Sequence, residues 1–191
     1  EYPKSSYAAQ VILLLVEEAH GAGRYGEAAD IALKYVNKIS KNAARLRFMA
    51  AESLFETAKY PDAIVYYRAF LPEADNLADY TRYRMGLASY HLRQFNQSIN
   101  YFGDITDSAF LERKYYYLGM SCYEAGRKKQ AADQFYNVIQ IGHGDFQDEA
   151  WKNLVILMEE QSLWRMAVSF GTRLSESPNE LDRLVYAKAL F

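Results

Sequence analysis

Five small residues constrain what this chain can fold into. Ala28, Ala63, Ser98, Ala131 and Ala167 are spaced 35, 35, 33 and 36 residues apart. Each sits in a copy of one pattern: a helix with a small residue beside an apolar one, then a second helix opening on an aromatic. The clearest copy reads Ala51, Leu54, Ala58, Tyr60, Ala63, Tyr67. Two more read Gly86, Tyr90, Phe95, Ser98, Phe102 and Gly119, Tyr123, Gly126, Ala131, Phe135. Fainter copies flank them, with Gly23, Tyr25, Ala28, Ala32 before and Leu154, Trp164, Ala167, Gly171 after. A period in this range signals a solenoid, in which each unit buries its apolar face on its neighbours.

Apolar residues recur at three- and four-residue steps, the signature of amphipathic helices. The pattern predicts helix pairs at 6–20 and 25–39, 42–58 and 61–71, 76–92 and 95–105, 108–125 and 128–140, and 146–161 and 163–175. No segment alternates long enough to predict a strand. Pro3, Pro61, Pro72 and Pro178 each mark a boundary, since proline removes a helix donor. The expected fold is all-α, a right-handed α-solenoid of antiparallel helix pairs. Residues 1–191 are expected to form one array with units near 9–43, 44–78, 79–111, 112–147 and 148–181. A partial sixth unit follows at 182–191, with Leu184, Ala187 and Leu190 as an apolar face open to self-association. These ends lead us to expect a piece of a longer array.

Composition narrows the function. Formal net charge is −2 with mixed signs, and nucleic-acid binding calls for a basic stripe that is not seen. Arg127-Lys128-Lys129 is best explained as a solvated turn. The single cysteine, Cys122, reads as a core thiol. The longest apolar run, Val11 to Val16, is far shorter than the roughly 20 residues that span a bilayer, so direct membrane insertion is not expected. His20, His91 and His143 lack ligand spacing. Glu17-Glu18 and Glu159-Glu160 point about 100° apart on a helix and do not converge. No enzyme activity, metal or cofactor is therefore expected.

The quoted residues resemble the tetratricopeptide repeat, a helix-turn-helix of about 34 residues with small residues where its helices cross. Leu118-Gly119 with Tyr123, Gly126, Ala131 and Phe135 carries the likeness best. Arg93 in place of a small turn residue, Ser98 in place of Ala and Gly171 in place of an aromatic depart from it. The opening Tyr2-Pro3-Lys4-Ser5-Ser6-Tyr7-Ala8 is similar to a segment of Gram-negative envelope repeat proteins. That likeness implies a periplasmic or envelope-associated location, the alternative being the cytoplasm. The family's carboxylate clamp is not matched: the corresponding positions hold Leu13, Phe48, Tyr83, Tyr116 and Lys152, with Glu17 and Glu52 in place of Asn.

An aromatic ladder is the candidate site. Phe48 and Phe55 lie two helical turns apart, as do Tyr83 and Tyr90, and Tyr116 and Tyr123. Leu87 and Met120 share that face. The family resemblance implies that this face lines a concave groove, while aromatics at helical spacing also serve as core. Three successive tyrosines, Tyr115 to Tyr117, point in different directions, so at least one is expected to be exposed. The expected function is a scaffold that binds a protein or peptide segment. Glu52, Glu56 and Glu124 against Arg45 and Arg113 favour an apolar, somewhat basic partner. The alternatives are a regulatory arm of a larger enzyme or signalling protein, and an architectural spacer.

Overall fold

The computed structural model describes residues 6–142 and 144–160. Among them there are nine α-helices and no strand: α1 (Ser6–Gly21), α2 (Tyr25–Tyr35), α3 (Ala43–Glu56), α4 (Tyr60–Phe70), α5 (Ala78–His91), α6 (Phe95–Gly103), α7 (Leu111–Glu124), α8 (Lys128–Ile141) and α9 (Gln147–Glu160). The chain divides into two compact units, one ending at Ser98 and the other starting at Ile99.

In the first unit α2 packs against both α1 and α3, α4 against α3 and α5, and α1 touches α3. Small residues let these helices approach. Ala28, Ala32, Ala50 and Ala51 are fully buried. Ala28, Ala32 and Ala50 share a core with Val16, Val36 and Leu46. In the second unit α8 packs against α7 and α9. Its core gathers Cys122, Ala131, Phe135, Val138, Leu154 and Leu157. Cys122 is a buried thiol, as the sequence predicts, and burial pushes it up from its ordinary pKa.

All four anchors within the described residues, Ala28, Ala63, Ser98 and Ala131, are fully buried. The fifth, Ala167, lies outside them. Ser98 is accommodated because its Oγ donates to the Gly86 carbonyl at 3.0 Å, which satisfies a hydroxyl that burial would otherwise penalise. Gly119 has no room for a side chain: a Cβ there would lie 2.8 Å from Cε1 of Phe135.

The turn inside each pair is the same device four times. Gly23, Ala58, Arg93 and Gly126 all adopt positive φ, at 75°, 58°, 58° and 74°. Each N–H bonds three residues back, to the carbonyls of His20, Phe55, Tyr90 and Tyr123. The next N–H reaches five residues back, to Ala19, Leu54, Ser89 and Cys122. This is the Schellman motif, which satisfies the orphan carbonyls at a helix end. A side-chain contact spans the same turn. His20 meets Tyr25 at 4.9 Å, Phe55 meets Tyr60 at 5.2 Å, and Tyr90 meets Phe95 at 5.7 Å between ring centroids.

Two expectations need correction. α2 ends at Tyr35 rather than near 39, because Val36 to Lys38 turn through bonds back to Ala32 and Tyr35. Tyr115, Tyr116 and Tyr117 are all half-buried, none fully exposed. Neighbours on two sides cover α7: Tyr117 stacks on Phe102 at 5.8 Å and Tyr116 on Phe146 at 4.5 Å. His143, the helix expected at 163–175 and the partial sixth unit with its apolar face lie outside the described residues.

Candidate protein-binding face

The first unit places a polar network beside its aromatic ladder. Glu52 of α3, 8 % exposed, accepts hydrogen bonds from the Tyr67 hydroxyl of α4 and, at 2.8 Å, from the Tyr80 hydroxyl of α5. Arg84 of α5 donates through Nε to Glu52 at 3.2 Å and to the Tyr67 oxygen at 3.1 Å. Its Nη2 donates to Glu56 at 2.6 Å. The guanidinium carbon lies 3.6 Å from the centroid of the Phe55 ring, a cation–π contact strengthened by partial desolvation. One arginine thus ties three helices to one ladder aromatic.

Electrostatics follow from that burial. Desolvation, then the nearby Glu52 carboxylate, pushes the Tyr67 and Tyr80 phenols well above their ordinary pKa. Burial works against the Arg84 cation, but its Tyr67 and Glu52 neighbours outweigh it and hold the group above its usual value. Both tyrosines are therefore proton donors at neutral pH, which suits an acceptor-only carboxylate.

The eight ladder residues are all half-buried, but their surroundings differ. Phe48 packs toward the helix crossing, 5.0 Å from Phe70 and 6.5 Å from Tyr67. Phe55 and Tyr90 belong to the turn-spanning pairs, and His91 stacks on Tyr60 at 4.8 Å beside Phe55. Tyr83 and Leu87 lie on α5 with part of each side chain open to solvent. In the second unit Tyr116 is covered by Phe146 and also meets Phe135 at 6.2 Å. The Met120 sulfur accepts from Asn153 at 3.6 Å. Tyr123 donates to Glu160 at 2.7 Å, and Lys128 pairs with the same carboxylate at 3.0 Å.

No family model matches the chain, and no curated protein matches it. Solved structures do. A MamA protein superimposes with a TM-score of 0.76 at 17% identity, over 94% of this chain and 93% of that one. MamA from Desulfovibrio magneticus RS-1 gives 0.73 at 14%, over 86% and 92%. A putative kinesin light chain of TPR-like repeats from Podosopora anserina gives 0.63 at 11%, over 100% and 98%. The fold is the tetratricopeptide type.

In tetratricopeptide terms the ladder residues all stand on the first helices of their pairs, α3, α5 and α7. Two acids counted from sequence as free negative charge are not free: Glu52 and Glu56 both pair with Arg84. Glu17 likewise pairs with Arg45 at 3.0 Å. Arg84 itself escapes a reading of spacing, because its partners lie 17 to 32 residues away. The available clue was its place next to Tyr83, one repeat beyond Met49. Among the described residues no group of three or more His, Cys, Asp or Glu could hold a metal ion. No helix there is long and apolar enough to cross a membrane.

Proposed function

We propose that this protein is a non-enzymatic interaction scaffold that holds a peptide or protein segment on the first helices of its repeats. Phe48, Phe55, Tyr83, Leu87 and Tyr90 form the receiving face of the first unit, and Tyr116, Met120 and Tyr123 form that of the second, each taken by itself. The observation that carries this reading is that all eight are half-buried at repeat-spaced positions. A ring anchored on one side and open on the other gives contact area at little entropic cost. The tetratricopeptide fold supports protein partners. Because Arg84 neutralises Glu52 and Glu56, the segment is recognised mainly by apolar contact, with a weaker preference for basic residues. A Gram-negative envelope location remains part of the proposal, resting on the seven-residue opening, and cell fractionation tests it.

Replacing all eight residues with alanine would confuse binding with packing, since Phe48 and Tyr116 also cover core rings. Photo-crosslinking avoids this. Benzoylphenylalanine at Tyr83 or Leu87 on α5 should give one shared adduct. The same probe at Val65 of α4, 59 % exposed, should give none. Equal adducts from Val65 and Tyr83 would overturn the assignment to the first helices.

A further inference from the structure

Arg84 is fixed through all but one of its nitrogens. Its side chain is 12 % exposed. Nε donates to Glu52 and to the Tyr67 oxygen, Nη2 donates to Glu56, and the guanidinium lies over the Phe55 ring. Nη1 has no hydrogen-bond partner among the described residues, yet it is not a buried atom. It opens to solvent. Glu56 stands beside it on α3. Among the described residues only its Oε1 is engaged, by Arg84 at 2.6 Å, and the side chain is 35 % exposed. Oε2 is therefore an open acceptor. Nη1 shares Cζ with Nη2, and Oε2 shares Cδ with Oε1, so one hydrogen bond is flanked by an open donor and an open acceptor. Leu87, one turn along α5 from Arg84, and Phe55 of α3 give the pair apolar neighbours, both half-buried.

We propose that this donor–acceptor pair is a subsite for a primary carboxamide, the side chain of a glutamine or asparagine in the bound segment. The carboxamide oxygen accepts from Arg84 Nη1, and its N–H donates to Glu56 Oε2. The proposal rests on the reading of the first helices as the receiving face, and it adds one polar anchor to the apolar contacts there. Complementarity sorts the other chemistries. A carboxylate accepts but cannot donate, and it would meet two carboxylates, Glu52 and Glu56, against one guanidinium. An ammonium donates but cannot accept, so Nη1 would be covered by the segment with no acceptor, at the cost of its desolvation. A peptide group has both functions, but the trans form carries its N–H and C=O on opposite edges. One peptide group therefore cannot serve both neighbours. A primary carboxamide carries an N–H and its C=O on the same edge. Arg84 is already held by Glu52, Tyr67 and Phe55, so little side-chain freedom is left to lose when the carboxamide docks.

Fragments that copy these groups test the subsite. Propionamide, N-methylacetamide, propionate and n-butylammonium are titrated at one ionic strength into the isotope-labelled full chain, and the NMR signal of Arg84 Nε–Hε is followed. Propionamide should move that signal saturably and bind at least about fivefold more tightly than the other three, the scale set by leaving one hydrogen-bonding group unpaired. Glu56→Ala removes the acceptor and one negative charge at an exposed position, and propionate should then bind more tightly than propionamide. Equal binding of N-methylacetamide would assign the pair to main-chain amides and overturn the proposal. Tightest binding of propionate or n-butylammonium by the parent also overturns it, as does a propionamide preference that survives Glu56→Ala. Crosslinking from Tyr83 and Leu87 is independent of these fragments. A shared adduct beside an Arg84 signal that propionamide leaves unmoved overturns the carboxamide subsite and leaves the receiving face standing.

Discussion

Gly119 faces Phe135 so closely that one added carbon decides the fate of the α7–α8 crossing. The nearest ring atom would lie 2.8 Å from a Cβ, and Phe135 is itself 1 % exposed, so the ring has nowhere to retreat. Gly119→Ala should therefore cost about 1–3 kcal/mol despite its better helix propensity, as overpacked crossings do. Chemical denaturation measures it, and a variant as stable as the parent would show that the crossing can open. At the Glu52 network the residue-scale prediction concerns alkaline pH. Tyr67 has a folded-state pKa raised above the unfolded value near 10. A raised pKa contributes stability that is complete below the unfolded pKa and declines above it as the unfolded phenol ionises. Stability should thus fall between about pH 10 and 11, with Tyr67 accounting for up to roughly 1.4 kcal/mol per pH unit. Tyr67→Phe should flatten that decline, read as the difference in melting temperature between variant and parent from pH 9 to 11. An unchanged slope would show that the phenol is not held protonated.

At the scale of elements, the four Schellman turns explain why helix pairs could be read from sequence and where the reading stopped. Gly23 and Gly126 announce the left-handed turn, because glycine alone adopts it without penalty. Ala58 and Arg93 adopt the same conformation with no glycine to signal it, and the period supplied those two turns. The end of α2 carries no such signal, because Val36 to Lys38 contains neither glycine nor proline. The ladder was legible as positions, since helical and repeat periods both select them. Its surroundings were not, because Arg84 reaches Glu56 across 28 residues and no local pattern encodes that distance. A non-glycine residue held at positive φ stores roughly 1–3 kcal/mol, part of which glycine's greater unfolded freedom offsets. Ala58→Gly and Arg93→Gly should each raise stability by about 0.5–1 kcal/mol in urea titrations. A loss in either would mean that the side chain contributes more than the strain costs.

At the scale of whole units, neighbouring helices among the described residues pack in sequence order. In the first unit α1 meets α2, α2 meets α3, α3 meets α4 and α4 meets α5; in the second α7 meets α8 and α8 meets α9. In the first unit α1 also meets α3. A chain built this way distributes its stability as local terms plus nearest-neighbour interfaces, so opening need not be all-or-none. Gly119→Ala supplies a defined local injury. Its effect should be largest for amides of α7 and α8, reach α9 through the shared core of Ala131, Phe135 and Leu154, and leave α1 and α2 nearly as protected as in the parent. Native-state hydrogen exchange followed helix by helix reads this directly. A protection loss of about tenfold or more in α7 and α8, corresponding to at least roughly 1.4 kcal/mol, beside an unchanged α2 would establish graded coupling along the sequence. Equal loss in every helix would instead make the protein a single cooperative body, and a partner bound at one repeat would then stabilise all of them equally.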